Sequence, residues 1–214
     1  MRRETQCRFI RTFEDVWTMQ QGTMGGIDMI NHTGTENLKT DRLLLRKFEH
    51  MDAESMLRNW IADPIIQSNY GEPVYSTEKE VHELLTGWIS QYKDKSFYRW
   101  AIILKETGEN IGQIAFCRVY NEFSTAEVEY CIGTNFWGKG YAPEALTAIL
   151  KYSFEKPCFE KLEAFHRIQN PASGRVLQKA ALRKADNVIR FELLKEQPSN
   201  EVCYALTKSE WLCI

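Results

Sequence analysis

The residues from Tyr130 to Lys156, YCIGTNFWGKGYAPEALTAILKYSFEK, join a glycine-rich turn to the start of a helix, a pairing that can seat phosphate. Gly133, Gly138 and Gly140 fall in the turn, and the helix is expected to begin near Ala142. Pro143 suits a first helical position because its missing N–H would be unpaired there anyway, and Glu144 places a negative charge where the helix dipole favours one. The unpaired N–H groups of that first turn converge in front of the helix, and glycines at 138 and 140 let a ligand approach the backbone without meeting a Cβ atom. The run WGKGYA fits neither the GxxxxGK[ST] phosphate loop nor the GxGxxG dinucleotide loop. A turn of this composition can also simply reverse the chain.

The elements that must hold this turn follow from periodicity. Tyr130, Cys131 and Ile132 end a strand over about 125–132, and Leu146, Ile149, Leu150 and Phe154 give the following helix an inward face. Upstream, TDRLLLRKF supplies a first strand through Leu43, Leu44 and Leu45. A helix over 51–61 buries Met56, Leu57, Trp60 and Ile61 and is closed by Pro64. A second helix starts at Thr77 with Glu80 as its capping-box partner and carries Val81, Leu84, Leu85, Trp88, Ile89 and Tyr92 along one stripe. Strands at 98–104 and 111–118 flank the hairpin signal ETGEN. A strand near 161–166, a helix from Pro171 to Ala180 and strands near 187–193 and 201–207 complete an α+β arrangement.

On these residues the chain resembles the GNAT superfamily of N-acetyltransferases. Its acyl-coenzyme A signature, Gln/Arg-x-x-Gly-x-Gly/Ala, lies on Trp137, Gly138, Lys139, Gly140, Tyr141 and Ala142, with Trp137 in place of the Gln or Arg. That Trp, with EAL at 144–146, is similar to the branch of ribosomal-protein-alanine N-acetyltransferases and their bacterial relatives. A second motif of the branch, N-x-x-S-x-x-V/L-x-x-K-x-G-F/M, reads Asn170, Ser173, Val176 and Lys179, but Ala181 and Leu182 replace its last two residues. Leu177 stands where many members carry the tyrosine that reprotonates the thiolate, which leaves Ser173 as the replacement. Without its glycine, the turn after this helix lacks the residue that enters the left-handed conformation cheaply.

The resemblance covers about 38–210 and implies the GNAT fold, a mixed, mostly antiparallel central sheet flanked by helices with one splayed strand pair. It also implies acetyl-coenzyme A as cosubstrate, no metal, and direct attack by an amine without an acyl-enzyme. The backbone of Tyr130 and Ile132 would hold the pantetheine arm, and Trp137 to Ala142, Asn170 and Lys179 the rest of the coenzyme. For the base, Glu127 and Glu129 share one face of their strand. Glu127 matches the family's acid, and Glu129 lies closer to the thioester position. Each reads equally as a solvated carboxylate, Asn170 has a sufficient role as a helix N-cap, Cys131 fits a packing role, and His166 a solvated or packing one.

Composition narrows the partners. The 214 residues are 43% hydrophobic and 26% charged with net charge −2, which offers no electrostatic case for nucleic acid or an anionic membrane. Six cysteines without a CxxC pair read as reduced thiols in a cytoplasmic protein. Residues 1–37 differ from the rest, GTMGG and NHTGT interrupting any regular element, and are read as an extension or poorly ordered N-terminus. Met24 or Met29 is a candidate native start, and 38–214 a single catalytic domain. The acceptor is a protein N-terminus or a small amine met by the loop 64–76, with Tyr70 and Tyr75, in a monomer or homodimer. The rival reading is a non-catalytic acyl-coenzyme A sensor or degenerate paralogue.

Overall fold

Alternation along the first long strand shows how the two faces of the sheet are divided. Leu43 and Leu45 are buried on one side while Leu44 and Arg46 are half-buried on the other. The computed structural model describes residues 30–70, 73–157, 159–186, 188–194 and 200–214. In chain order these give β1 Leu38–Lys39, β2 Leu43–Arg46, α1 Ala53–Met56 running into a π-helical turn Leu57–Ile61, α2 Pro64–Tyr70 and α3 Glu78–Gln91. Next come β3 Arg99–Leu104, β4 Asn110–Tyr120, β5 Thr125–Ile132, α4 Tyr141–Glu155 and β6 Lys161–Arg167. The chain closes with α5 Pro171–Lys179, β7 Arg183–Lys184, α6 Ile189–Leu194, β8 Glu201–Thr207 and α7 Lys208–Trp211.

The eight strands form one sheet in the order β1-β2-β3-β4-β5-β6-β8-β7. The pairing is antiparallel except between β5 and β6, which run parallel and pair from Thr125↔Lys161 to Val128↔Ala164. Beyond Val128 the two strands part: β5 stays on β4 as far as Ile132, and β6 stays on β8 as far as Arg167. Leu43, Leu45, Trp100, Ile102 and Phe116 pack with Leu146, Ile149 and Leu150 of α4 on one face. On the other, Ala101, Ile103 and Cys131 pack with Phe48, Met56, Trp60, Val81 and Leu85 beneath α1 to α3. Burying these side chains is the main source of stability, at about 1.5–3 kcal/mol for each large one.

The elements β1 and α7 were not expected from the sequence, and two further stretches depart from the expectation. Pro64 opens a helix instead of closing one: Asp63 Oδ1 accepts the N–H of Ile65 at 2.8 Å, and Pro64 takes a first helical position, so part of the expected loop 64–76 is α2. The strand expected near 187–193 is largely the helix α6, and β7 lies earlier, at Arg183–Lys184. Val188 and Phe191 bury as a helical i, i+3 pair, and the N–H of Ile189 is capped by the buried carboxylate of Glu163 from β6 at 3.0 and 3.1 Å. A short apolar run carries no period strong enough to reveal this.

Residues 30–37, grouped by the sequence with an N-terminal extension, are hydrogen-bonded into the domain. Asn31 N–H reaches Pro157 O at 3.2 Å, His32 contacts the Tyr98 hydroxyl at 2.9 Å, and Trp100 Nε1–H donates to Glu36 O at 2.7 Å. The rest of that stretch, with Met24 and Met29, lies outside the described residues. No helix among the described residues is long and apolar enough to cross a membrane.

Candidate active site

Where β5 and β6 separate, a cleft of about 580 Å³ opens. Glu127, Glu129 and Cys131 line it together with Val128, Tyr130 and Ile132, residues whose side chains point to opposite faces of β5, so the cleft runs through the sheet. One mouth lies under the turn before α4 and the first turns of α5, and the other under α2 and α6.

The turn before α4 is built as its glycines require. Gly138 and Gly140 have φ of +75° and +84°, in the left-handed region, and both line the cleft with Tyr141, Ala142 and Pro143. The helix starts at Tyr141, one residue earlier than expected, which puts Pro143 at the third position, where an N–H has no intrahelical partner either. Trp137 is half-exposed and donates its indole N–H to Ile132 O at 2.6 Å, closing the turn back onto the end of β5. A Cβ added at Gly138 would meet nothing within 4 Å, so this backbone faces open space.

Across the cleft, α5 is capped by Asn170, whose Oδ1 accepts the N–H of Ser173 at 3.4 Å. Arg175 and Lys179, one helical turn apart, both line the cleft and add positive charge. Tyr130 donates its hydroxyl to Ser173 O at 3.0 Å and lies 2.8 Å from Ser173 Oγ. Burial pushes the Tyr130 phenol well above the usual tyrosine range, against the opposing hydrogen bond with Ser173. Leu177 is fully buried in the core. Ala181, in the place of the motif's glycine, does enter the left-handed region at φ +71°.

The two carboxylates of β5 differ in setting. A β-bulge at Cys117 lets Phe116 pair with Val128 and Arg118 with Glu127, which aims Arg118 at that carboxylate. Glu127 is 5% exposed, takes Arg118 Nη1 on both oxygens at 2.9 Å, and has Arg190 at 3.7 Å. Glu129 is more open to the cleft and is paired with Arg99 at 3.0 Å. Arg99 in turn stacks on Trp88, 4.4 Å from the ring centroid, and bonds Gln113. Burial pushes the Cys131 thiol up to about 12, which favours the protonated thiol near neutral pH. His166 is half-buried at the edge of the cleft, donates Nδ1–H to Arg167 O at 2.8 Å and places its Nε2 edge against Gly174 and its ring near Tyr204.

All of the catalytic and coenzyme-binding candidates except Lys139 line this cleft, whereas Tyr75 of the expected acceptor loop packs against the core beneath α1 to α3. Lys139 does not line the cleft and places its ammonium over the Phe136 ring, 5.5 Å from the centroid. Sequence reasoning missed Arg118, Arg190, Arg175 and Glu201. The i, i+4 spacing of Arg175 and Lys179 was a readable signal, whereas the others become neighbours only through the fold.

The acetyltransferase (GNAT) domain model matches residues 42–183. The chain belongs to the GNAT acetyltransferase family. It is 28% identical to the uncharacterized N-acetyltransferase p20 of Bacillus licheniformis over 82% of this chain and 98% of that one. It is 27% identical to the ribosomal protein uS5-alanine N-acetyltransferase of Escherichia coli, over 81% and 92%. A crystal structure of a GNAT-family acetyltransferase from Bacillus anthracis superposes with a TM-score of 0.66 at 27% identity, covering 82% of this chain and all of that one. This acetyltransferase is thus of the acetyl-coenzyme A-dependent class, and the sheet order with its single parallel pair is the GNAT fold. The groups on the α4 and α5 side fit the coenzyme's anionic half: a glycine turn open to space, an uncapped helix start, and Arg175 and Lys179 opposite.

Proposed function

We propose that this acetyltransferase moves an acetyl group from acetyl-coenzyme A to a primary amine by direct attack within the cleft between β5 and β6. The observation that carries the reading is one continuous cleft lined from both faces of β5, with the left-handed glycine turn before α4 on one side and Glu127 and Glu129 on the other. The first turn of α4 with Gly138 and Gly140 binds the pyrophosphate; Asn170 and Lys179 contact the coenzyme arm; the free edge of β5 near Tyr130 and Ile132 holds the pantetheine amides as an added strand would. The thioester arrives with its carbonyl at that edge, where a backbone N–H polarises it. As the amine lone pair forms the C–N bond, the C–S bond breaks, and the amine's surplus proton passes to Glu129 or to water it holds. Glu127, neutralised by Arg118 and Arg190, sets the field around it.

The departing sulfur lies on the Tyr130 and Ser173 side. Each hydroxyl of that pair can turn a proton toward the thiolate while still bonded to the other, which supplies the function that Leu177 cannot. The acceptor is a protein N-terminus, the class acted on by the Escherichia coli relative, or a small amine. The absence of a hydroxyl at Leu177 favours a second reading, a sensor that binds acyl-coenzyme A without turnover. Thiol release from acetyl-coenzyme A, followed against a panel of N-terminal peptides, polyamines and amino acids, separates the two. Release with one class supports transfer; tight binding with no release across both classes supports the sensor.

A further inference from the structure

Behind the glycine turn, and not lining the cleft, sits Arg42, which is 97 residues away in sequence from the loop it touches. Its Nη1 donates to Lys139 O at 2.8 Å, its guanidinium lies over the Tyr141 ring at 4.6 Å, and a Cβ at Gly140 would stand 3.3 Å from its Nη2. The same side chain pairs with Glu144 of the first turn of α4, Nε and Nη2 reaching Oε2 at 2.7 and 2.6 Å. The backbone N–H of Arg42 and the hydroxyl of Thr40 donate to the other carboxylate oxygen at 2.9 and 2.5 Å.

Two consequences follow from elementary geometry and charge. In a trans peptide the C=O and the next N–H point opposite ways, so holding Lys139 O toward Arg42 turns the Gly140 N–H to the other side of the loop, away from Arg42. Glu144 poses the second problem. Partial burial pushes its carboxyl up, but the bonds from Thr40 and Arg42 carry it below the ordinary carboxylate range, so it is charged at neutral pH. An ionised carboxylate in the first turn suits the helix dipole yet repels any phosphate bound there.

We propose that Arg42 is a positioning residue for the phosphate seat, one that orients the Lys139–Gly140 peptide and cancels the charge of Glu144 so that the first turn of α4 can take a pyrophosphate. This deepens the reading given under Proposed function and rests on it. A brace that merely held the fold together would lose by removal of either partner, whereas charge cancellation predicts opposite signs for the two. Arg42→Ala exposes the anion to the seat, while Glu144→Gln removes the anion that repels the ligand and leaves the bond from Arg42 to Lys139 O in place.

The test is calorimetric titration of the full chain with coenzyme A for the wild type, Arg42→Ala, Glu144→Gln and the double variant, each below its own melting transition. The expected result is binding about tenfold weaker in Arg42→Ala and a few-fold tighter in Glu144→Gln, with the double variant closer to wild type than Arg42→Ala is. Weakening in both single variants, or a double variant no better than Arg42→Ala, would overturn the role of Arg42 while leaving the cleft assignment intact. Failure of the wild type to bind coenzyme A would overturn the cleft assignment and this proposal together.

Discussion

Replacing Gly138 by leucine separates the phosphate seat from the fold. The position has φ +75°, so an L-residue there is strained by about 1–2 kcal/mol, offset in part by the roughly 0.5–1 kcal/mol gained when the unfolded chain loses the freedom of a glycine. No atom outside the adjoining residues lies within 4 Å of the added Cβ, so no steric term is added. The net cost is about 1 kcal/mol, a fall in melting temperature of roughly 2–4 °C for a domain of this size. Binding should respond far more. The new side chain occupies the space a phosphate must enter, and each charge-assisted hydrogen bond lost is worth about 1.5–3 kcal/mol, so affinity for coenzyme A should fall at least about tenfold. Gly140→Leu is the contrast, because its Cβ would press on Arg42 Nη2 at 3.3 Å and should reduce both binding and stability. Scanning calorimetry and coenzyme A titration on the same preparations decide the matter. Undiminished binding in Gly138→Leu would refute the assignment of this turn as the phosphate seat.

Ala181→Gly should raise stability by about 1 kcal/mol, since alanine at φ +71° carries left-handed strain that glycine lacks; an unchanged or lower denaturation midpoint would contradict this. Glu129→Gln should reduce turnover by about a hundredfold with little change in melting temperature, whereas Glu127→Gln, which deprives Arg118 and Arg190 of a buried partner, should show mainly as a lower melting temperature; comparable turnover losses in the two would remove the distinction. Burial holds the Glu163 carboxyl above the usual carboxylate range, against the bonds from Lys161 and the Ile189 N–H. Between the unfolded value of about 4.3 and the raised folded value the folded protein binds more protons than the unfolded chain, and this contribution to stability is lost as pH rises through the folded value. The melting-temperature advantage of the wild type over Glu163→Gln should accordingly shrink as pH rises above about 4.3, and a growing advantage would count against it.

The parts of the fold that the sequence made legible are those with strong local signals. The Thr77 and Glu80 capping box, the stripe of α3 and the glycine turn before α4 are all found where their spacing put them. The parts that were hidden depend on distant partners. The helical form of VIRFELL draws on the Glu163 carboxylate, which caps Ile189 from another element. The Asp-Pro pair at 63–64 was readable as a helix start, yet proline after a helix reads just as well as its end, and the bond from Ile65 to Asp63 decides between them. The cleft follows the same division. Glu127, Glu129, Ser173, Asn170 and the turn glycines stand in motifs, but the bulge at Cys117 that points Arg118 at Glu127, and the reach of Arg42 to Lys139, are properties of register and packing. Ala181 shows the opposite limit, a position where local preference argued against the turn and the surrounding packing imposed it.

A crystal structure of the protein with coenzyme A bound tests the central claim most directly. The account predicts the pyrophosphate on the backbone N–H groups of Gly138, Gly140 and the first turn of α4, the pantetheine along the free edge of β5, and the sulfur near Tyr130 and Ser173, between β5 and β6. Coenzyme A seated elsewhere, or with its sulfur outside the gap between those strands, would contradict it.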